Sequence, residues 1–123
     1  MKNLIEFVEI PSADFKRAVK FYESVLDIKL TICDNCETEK MAFFPESPMK
    51  PGIAISWAPD FHPSKNGVLI SLSVENIEST LALIQVNGGR TIRPKTKIES
   101  EEWGYFALFT DSEGNTLGLY AEK

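Results

Sequence analysis

The chain has 123 residues, of which 43% are hydrophobic and 25% charged, a composition typical of one globular domain that buries a real core. Its net charge of −5, with no local run of lysine and arginine, argues against DNA or RNA as a partner. Glu6 and Glu9 interrupt the N-terminal apolar stretch, so we predict no signal peptide, no membrane association and a cytoplasmic location.

The first half of the chain is predicted to run strand, helix and then three strands. The strand Leu4–Ile10 carries apolar residues on both faces, which is typical of a strand between two layers. Asp14 or Ser12 caps a helix whose apolar residues recur at helical spacing, at Phe15, Ala18, Val19, Tyr22, Val25 and Leu26. The three strands that follow are predicted at Lys29–Ile32, Lys40–Phe44 and Ile53–Trp57.

A Cys-x-x-Cys motif, Cys33 to Cys36, lies between the strands predicted at Lys29–Ile32 and Lys40–Phe44. It has two functional interpretations, half of a zinc site or a redox pair. A zinc site usually needs four ligands, but His62 is the only histidine and there is no second cysteine pair. We therefore predict that Asp34-Asn35 forms a hairpin turn and that the thiols stay reduced, with their role left open.

The second half repeats the same order after a connector, residues 59–66, that is rich in turn-forming residues. A strand at Val68–Val74 precedes a helix that Asn76 caps and that Asn87-Gly88-Gly89 ends. Three further strands are predicted at Arg90–Lys97, Tyr105–Phe109 and Thr116–Tyr120. The pattern is βαβββ twice, with module one at 1–58 and module two at 67–123 of a single domain.

Two segments of the chain carry a family resemblance. Ser12-Ala-Asp-Phe-Lys-Arg-Ala-Val-Lys-Phe-Tyr22 and the turn Asp111-Ser-Glu-Gly-Asn115 resemble motifs of the vicinal oxygen chelate superfamily, which includes glyoxalase, bleomycin resistance protein and extradiol dioxygenase. Phe7-Val8-Glu9-Ile10-Pro11 is similar to a metal-less, glyoxalase-like subgroup of this superfamily, in which Glu-Ile-Pro follows an aromatic residue. The resemblance covers nearly the whole chain. It implies an α+β fold in which two βαβββ modules form a half-open barrel with a central cavity and helices outside.

The resemblance also identifies four positions where metal-dependent relatives bind a divalent ion through His, Gln or Glu. In this chain the matching residues are Phe7, Ser56, Leu69 and Gly118, with an uncertainty of one residue at Ser56. Hydrocarbon side chains and glycine supply no nitrogen or oxygen donor, and one serine is a poor ligand alone. We therefore predict no metal and no other cofactor.

Glu9 is the polar exception among the cavity-facing positions, because it shares a strand face with Phe7. It is either a general base or a structural carboxylate that pairs with a cation or lies at the cavity mouth. The predicted ligand pocket consists of Phe7, Glu9, Ser56, Trp57, Leu69, Ser71, Phe106, Gly118 and Tyr120. The four cations of Arg90–Lys97 are interpreted either as a site for an anionic ligand or as a solvated edge strand.

The leading functional hypothesis is a glyoxalase/bleomycin resistance-like protein that binds a small, partly apolar molecule in its cavity without a metal. The alternative is a lyase, isomerase or dioxygenase of the same superfamily that uses Glu9 or a displaced metal site. Lactoylglutathione lyase activity is not expected, because that chemistry relies on a metal to polarise the substrate. A third possibility is a subunit that only packs against a partner. The resemblance implies a homodimer, with the modules paired either within one chain or between chains.

Overall fold

The computed structural model describes residues 4–33, 38–45 and 52–123. The chain divides into two compact units, Met1–Pro63 and Ser64–Lys123, and each unit is one four-stranded mixed sheet with one helix. The predicted α+β class and the repeated βαβββ order are confirmed. Cys33 is exposed at the end of a strand, and the turn predicted at Cys33–Cys36 lies outside the described residues from position 34 onward.

The first unit has its strands in the order β1-β4-β3-β2. Strand β1 is parallel to β4, whereas β3 is antiparallel to both β4 and β2. Its elements are β1 (Phe7–Pro11), α1 (Phe15–Leu26), β2 (Thr31–Cys33), β3 (Lys40–Phe43) and β4 (Gly52–Trp57).

Helix α1 begins and ends where its sequence provides caps. The Asp14 side chain accepts a hydrogen bond from the Arg17 backbone N–H at 3.1 Å, which satisfies one of the amides that a helix leaves unpaired at its start. Asp27 ends the helix in the left-handed region, at φ 53°, which short polar side chains tolerate. One face of α1 is buried and comprises Phe15, Ala18, Val19, Phe21, Tyr22 and Val25.

The second unit repeats this topology with its strands in the order β5-β8-β7-β6. Strand β5 is parallel to β8, and β7 is antiparallel to β8 and β6. Its elements are β5 (Ser71–Ser73), α2 (Ile77–Val86), β6 (Arg90–Lys97), β7 (Tyr105–Thr110) and β8 (Thr116–Ala121). Asn76 caps α2 by accepting from the Ser79 N–H at 2.9 Å, and Gly88 adopts φ 102° just after the helix.

Four strands are shorter than their sequence patterns predict, β2 and β3 by one residue each and β1 and β5 by more. Strand β1 begins at Phe7 rather than Leu4, because the register with β4 begins at Phe7 opposite Gly52. Strand β5 covers Ser71–Ser73 rather than Val68–Val74, because its register with β8 begins at Ser71 opposite Gly118. Leu4 and Val68 precede these paired residues and are exposed, at 94% and 92%. Their apolar side chains therefore extended the predicted strands beyond the residues that pair with a neighbouring strand.

The core of the second unit lies on one face of its sheet. Leu72, Ala107, Phe109, Leu117, Leu119 and Ala121 alternate with outward residues along their strands and are all buried. Helix α2 contacts β6, β7 and β8 and buries Ile77, Leu81 and Ile84. The helix therefore covers this face, which leaves the side chains of the opposite face for another use. Within the described residues, neither helix is long and apolar enough to cross a membrane.

The turn between β7 and β8 has a dense hydrogen-bond network. Asp111, 3% exposed, accepts the backbone N–H groups of Glu113 and Asn115 through Oδ1, each at 2.9 Å. Its Oδ2 accepts the Asn115 side-chain amide at 3.0 Å. Gly114 supplies the φ of 94° that closes the turn. The turn holds β7 and β8 in register, and those strands carry the candidate site.

Candidate functional site

The face of the second sheet opposite α2 is called the open face below. Register places Ser71, Gly118, Leu108 and Arg93 in one row across its four strands, and Ser73, Tyr120, Phe106 and Thr96 in the next. Adjacent strands lie about 4.8 Å apart, so each row spans about 14 Å. Apart from the buried Gly118, these residues are exposed or half-buried, in contrast to those facing the helix. The open face is therefore large enough to contact a small molecule.

Aromatic side chains line the second of these rows. Tyr120 on β8 lies directly opposite Phe106 on β7, and cross-strand neighbours of this kind are close enough for both rings to contact one ligand. The Trp103 ring packs edge-on against Tyr120, with 5.8 Å between ring centroids. The Tyr120 hydroxyl accepts the Gly104 N–H at 3.1 Å, which fixes the orientation of the ring.

Gly118 lies beside a hydroxyl group on the open face. The Oγ of Ser71 lies 2.5 Å from the position that a Cβ on Gly118 would occupy. Ser71 therefore fills much of the space that the missing side chain of Gly118 leaves beside Tyr120. The Ser71 hydroxyl can lie at this position only because residue 118 has no side chain.

A break in the β6 ladder controls which β6 side chains reach the open face. Thr91 pairs with Phe109 and Arg93 with Leu108, so two steps along β6 match one step along β7. This β-bulge at Ile92 reverses the alternation of side chains and turns Arg93 to the open face. The Arg93 guanidinium lies over the Phe106 ring, 5.1 Å from its centroid.

One lysine holds the loop that carries Trp103. The Lys97 Nζ donates to the backbone carbonyls of Ile98 at 3.0 Å, Ser100 at 3.1 Å and Gly104 at 3.3 Å, and also to that of Trp103. An ammonium group has three hydrogens, so these four carbonyls share them. Lys97 thereby closes residues 98–104 into a compact loop beside Tyr120.

A cleft of about 450 Å³ opens at the carboxyl ends of β5 and β8. Ser73 and Tyr120 belong both to this cleft and to the open face. The remaining lining comes from Val74 and Glu75 after β5 and from residues 121–123. Its volume falls within the range of about 300–1,000 Å³ that is usual for small-molecule sites.

On the first sheet, Glu9 and Ser56 lie on the same face and form a hydrogen bond. The Ser56 hydroxyl, on a residue 4% exposed, donates to Glu9 Oε1 at 2.8 Å. The Ser56 carbonyl in turn accepts both the backbone N–H and the hydroxyl of Ser12, each at 2.8 Å. The side chain of Glu9 is exposed, so its carboxylate is oriented by Ser56 and still accessible to solvent.

The predicted pocket residues fall into three groups. Ser71, Phe106, Gly118 and Tyr120 meet on the open face of the second sheet. Phe7, Glu9 and Ser56 share a face of the first sheet. Trp57 lies on the opposite face of that sheet, beside Lys40, and Leu69 is 52% exposed before β5 begins.

Two residues of the open face, Trp103 and Arg93, are missing from the predicted pocket. The only sequence signal for Arg93 was the unusual density of cations around Pro94 in one strand. Trp103 lies in a loop, and no periodic pattern indicates where a loop side chain packs.

At the four positions to which the sequence resemblance assigns metal ligands, Ser56 carries the only donor side chain. Phe7 and Leu69 offer only hydrocarbon, Gly118 has no side chain, and the Ser56 hydroxyl donates to Glu9. In the portion of the chain that the structure describes, no three His, Cys, Asp or Glu side chains cluster in a way that could hold a metal ion.

The duplicated fold and its open sheet face agree with the family to which the sequence belongs. The sequence model of the Glyoxalase/Bleomycin resistance protein/Dioxygenase superfamily matches residues 4–119, so the chain belongs to this superfamily. No curated protein is similar enough in sequence to match the chain.

Solved structures share the fold at low sequence identity. A glyoxalase I variant from Zea mays superimposes with a TM-score of 0.74 at 17% identity, over 94% of this chain and 45% of the maize chain. This chain therefore spans less than half of the maize chain. A glyoxalase/bleomycin resistance protein from Albidiferax ferrireducens gives a TM-score of 0.70 at 17% identity, over 98% of this chain and 100% of the other.

An antibiotic-binding protein is also among the structural neighbours. TnmS3 from Streptomyces superimposes with a TM-score of 0.66 at 17% identity, over 99% of this chain and 98% of its own. At these identities the likeness establishes the fold, and the ligand has to be argued from the residues of this chain.

Proposed function

We propose that the protein binds a small, partly apolar molecule on the open face of the second sheet, without a metal and without catalysis. The observation that carries this proposal is the meeting of Ser71, Phe106, Gly118 and Tyr120 on that face. Aromatic rings flanked by a few hydroxyl groups are typical of a site that takes apolar ligands and orients them by hydrogen bonds. The neighbouring antibiotic-binding protein supports the same kind of function on this fold.

Binding is tested by thermal-shift titration with small aromatic compounds in the presence of EDTA. A ligand at about 100 times its dissociation constant adds about 2.7 kcal/mol of stability by mass action. The matched variants are Phe106→Leu and Tyr105→Leu, which change neighbouring aromatic residues on opposite faces of β7. Phe106→Leu is expected to weaken binding and Tyr105→Leu to leave it unchanged. Equal losses in both variants, or no ligand-dependent shift at all, contradict the proposal.

Metal independence is proposed because Phe7, Leu69 and Gly118 have no donor side chain and Ser56 has a single hydroxyl. The protein is incubated with Zn, Ni, Mn and Fe salts and desalted, and its metal content is measured by mass spectrometry. We expect well under one ion per chain. One stoichiometric ion that survives desalting and that Glu9→Gln removes would replace this proposal with a displaced metal site.

A second candidate function, an enzyme of the same superfamily, is favoured by the hydrogen bond from Ser56 to Glu9. An oriented and accessible carboxylate is suited to act as a general base. Lactoylglutathione lyase and extradiol dioxygenase assays, with EDTA or with each metal added, test this candidate. Turnover that Glu9→Gln abolishes supports the enzyme, and turnover that is unchanged in Glu9→Gln removes Glu9 from the mechanism.

We also propose that the protein is a homodimer. Leu83 and Val86 lie three residues apart on α2, so they share one side of the helix, and they are 43% and 82% exposed. Neighbouring exposed apolar side chains on a helix surface are suited to pack against a second copy of the chain. Sedimentation equilibrium is expected to give twice the mass of the chain, and a monomeric mass at micromolar concentration refutes the dimer.

A further inference from the structure

We propose that Arg93 makes the open face selective for flat aromatic molecules that carry a carboxylate or a similar anionic group. This inference rests on the proposed function, because it specifies which small molecules the same face prefers. Arg93 reaches the face only because of the bulge at Ile92, and bulges commonly re-aim one side chain beside a functional site.

The guanidinium of Arg93 is free to bind an anion. No carboxylate among the described residues lies within ion-pair distance of it, and it lies over the Phe106 ring, 5.1 Å from the ring centroid. A guanidinium stacked on a ring still presents its N–H groups at its edge, where a carboxylate accepts two of them side by side. In a protein of net charge −5, an arginine that meets no carboxylate among the described residues is well placed to attract an anionic ligand.

The other cations of β6 either bond other groups or lie far from the aromatic row. Lys95 lies 3.8 Å from Glu78 and over the Tyr105 ring, on the helix side of the strand. Lys97 donates to the carbonyls of the loop at residues 98–104. Arg90 lies opposite Thr110 at the far end of β6, away from the aromatic row. Arg93 is therefore the β6 cation that a ligand resting on Phe106 and Tyr120 would meet.

Charge across the sheet also fixes the orientation of such a ligand. The carboxylates of Glu75 and Glu122 outnumber the one cation, Lys123, that lines the same cleft beyond Tyr120, on the side of the aromatic row away from the row of Arg93. An anionic group directed toward those carboxylates would be repelled, whereas the same group directed toward Arg93 is attracted. The bound molecule is therefore expected to lay its ring system on Phe106 and Tyr120 and to direct its anionic group toward β6.

The test compares 2-naphthoate with 2-naphthamide, which share ring system and size but differ in charge. Each is titrated into the full chain by calorimetry at low and high salt. We expect 2-naphthoate to bind about tenfold more tightly than the amide at low salt, since a charge-assisted pair adds to the ring contacts. Arg93→Gln is expected to remove the difference, Arg93→Lys to retain part of it, and Arg90→Gln, which removes the same charge, to retain all of it.

The outcomes separate this inference from the function on which it rests. If both compounds bind with equal affinity to the unaltered protein, or if the preference survives in Arg93→Gln, selection by Arg93 is wrong while ligand binding stands. If neither compound binds, both the inference and the ligand-binding function of this face are wrong. A preference lost equally in Arg93→Gln and Arg90→Gln reflects general charge and also overturns the inference.

Discussion

The hydroxyl of Ser71 lies 2.5 Å from the place where a Cβ on Gly118 would stand. The two residues are paired across the parallel strands β5 and β8, so the contact is built into the sheet register. Position 118 is one of the four to which the sequence resemblance assigns a metal ligand in metal-dependent relatives. In this chain the space beside its backbone holds a serine hydroxyl, and a side chain at 118 would have to displace it.

Gly118→Ala is expected to destabilise the protein by about 1 kcal/mol, because the added methyl group overlaps the Ser71 hydroxyl. The obstructing atom is the end of a side chain that can rotate, which keeps the cost small. In a Ser71→Ala background the same change should cost much less, since the Ser71 Cβ is at an ordinary contact distance of 3.4 Å. Urea unfolding of the four proteins in this cycle measures the coupling, and additive effects would show that the two residues do not interact.

Gly104→Ala is expected to be far more damaging, at about 3 kcal/mol or more. A Cβ at Gly104 would overlap the backbone carbonyl of Ala121 and approach the Cα of Glu122 to 2.7 Å. Backbone atoms of β8 cannot rotate away, so the strand or the loop must shift. The matched control is Gly67→Ala, where a Cβ meets nothing within 4 Å. Comparable urea midpoints for the two variants would contradict this prediction.

Asp111→Ala is expected to cost about 3 kcal/mol, because it leaves the half-buried Glu113 amide and the two buried Asn115 donors without their acceptor. Asp111→Asn keeps one side-chain oxygen for the backbone amides and should lose less. Ser112→Ala, in the same turn, serves as the control and should change stability by no more than about 0.5 kcal/mol. Urea unfolding ranks the three variants, and a loss in Ser112→Ala as large as that in Asp111→Ala would refute the network.

Lys97→Met is expected to loosen the loop at residues 98–104, because four backbone carbonyls lose their common donor. Trp103 should then leave Tyr120 more often and become more accessible to water. Its fluorescence is measured in a Trp57→Phe background, and we expect a red-shifted emission and stronger quenching by iodide. Lys95→Met removes a neighbouring lysine that does not bond these carbonyls and should leave the emission unchanged. Identical spectra for both variants would show that Lys97 does not hold the loop.

Local patterns predicted most of the secondary structure. The cap at Asp14, the apolar spacing of α1 and the turn at Asp111–Asn115 each depend on residues close together in sequence, and each is present in the structure. The starts of β1 and β5 were predicted too early, because a strand begins where pairing with its neighbour begins and not where apolar residues begin. The alternation of β8 correctly grouped Gly118 with Tyr120 on one face.

The sequence by itself therefore determined the duplicated βαβββ pattern and the superfamily. These properties follow from residue type and local periodicity. Only the tertiary structure decided that Ser71 covers Gly118, that Trp103 packs on Tyr120 and that Arg93 reaches Phe106. The physical reason is that each of these contacts joins residues at least 13 positions apart and depends on strand register, which a single bulge at Ile92 is enough to invert.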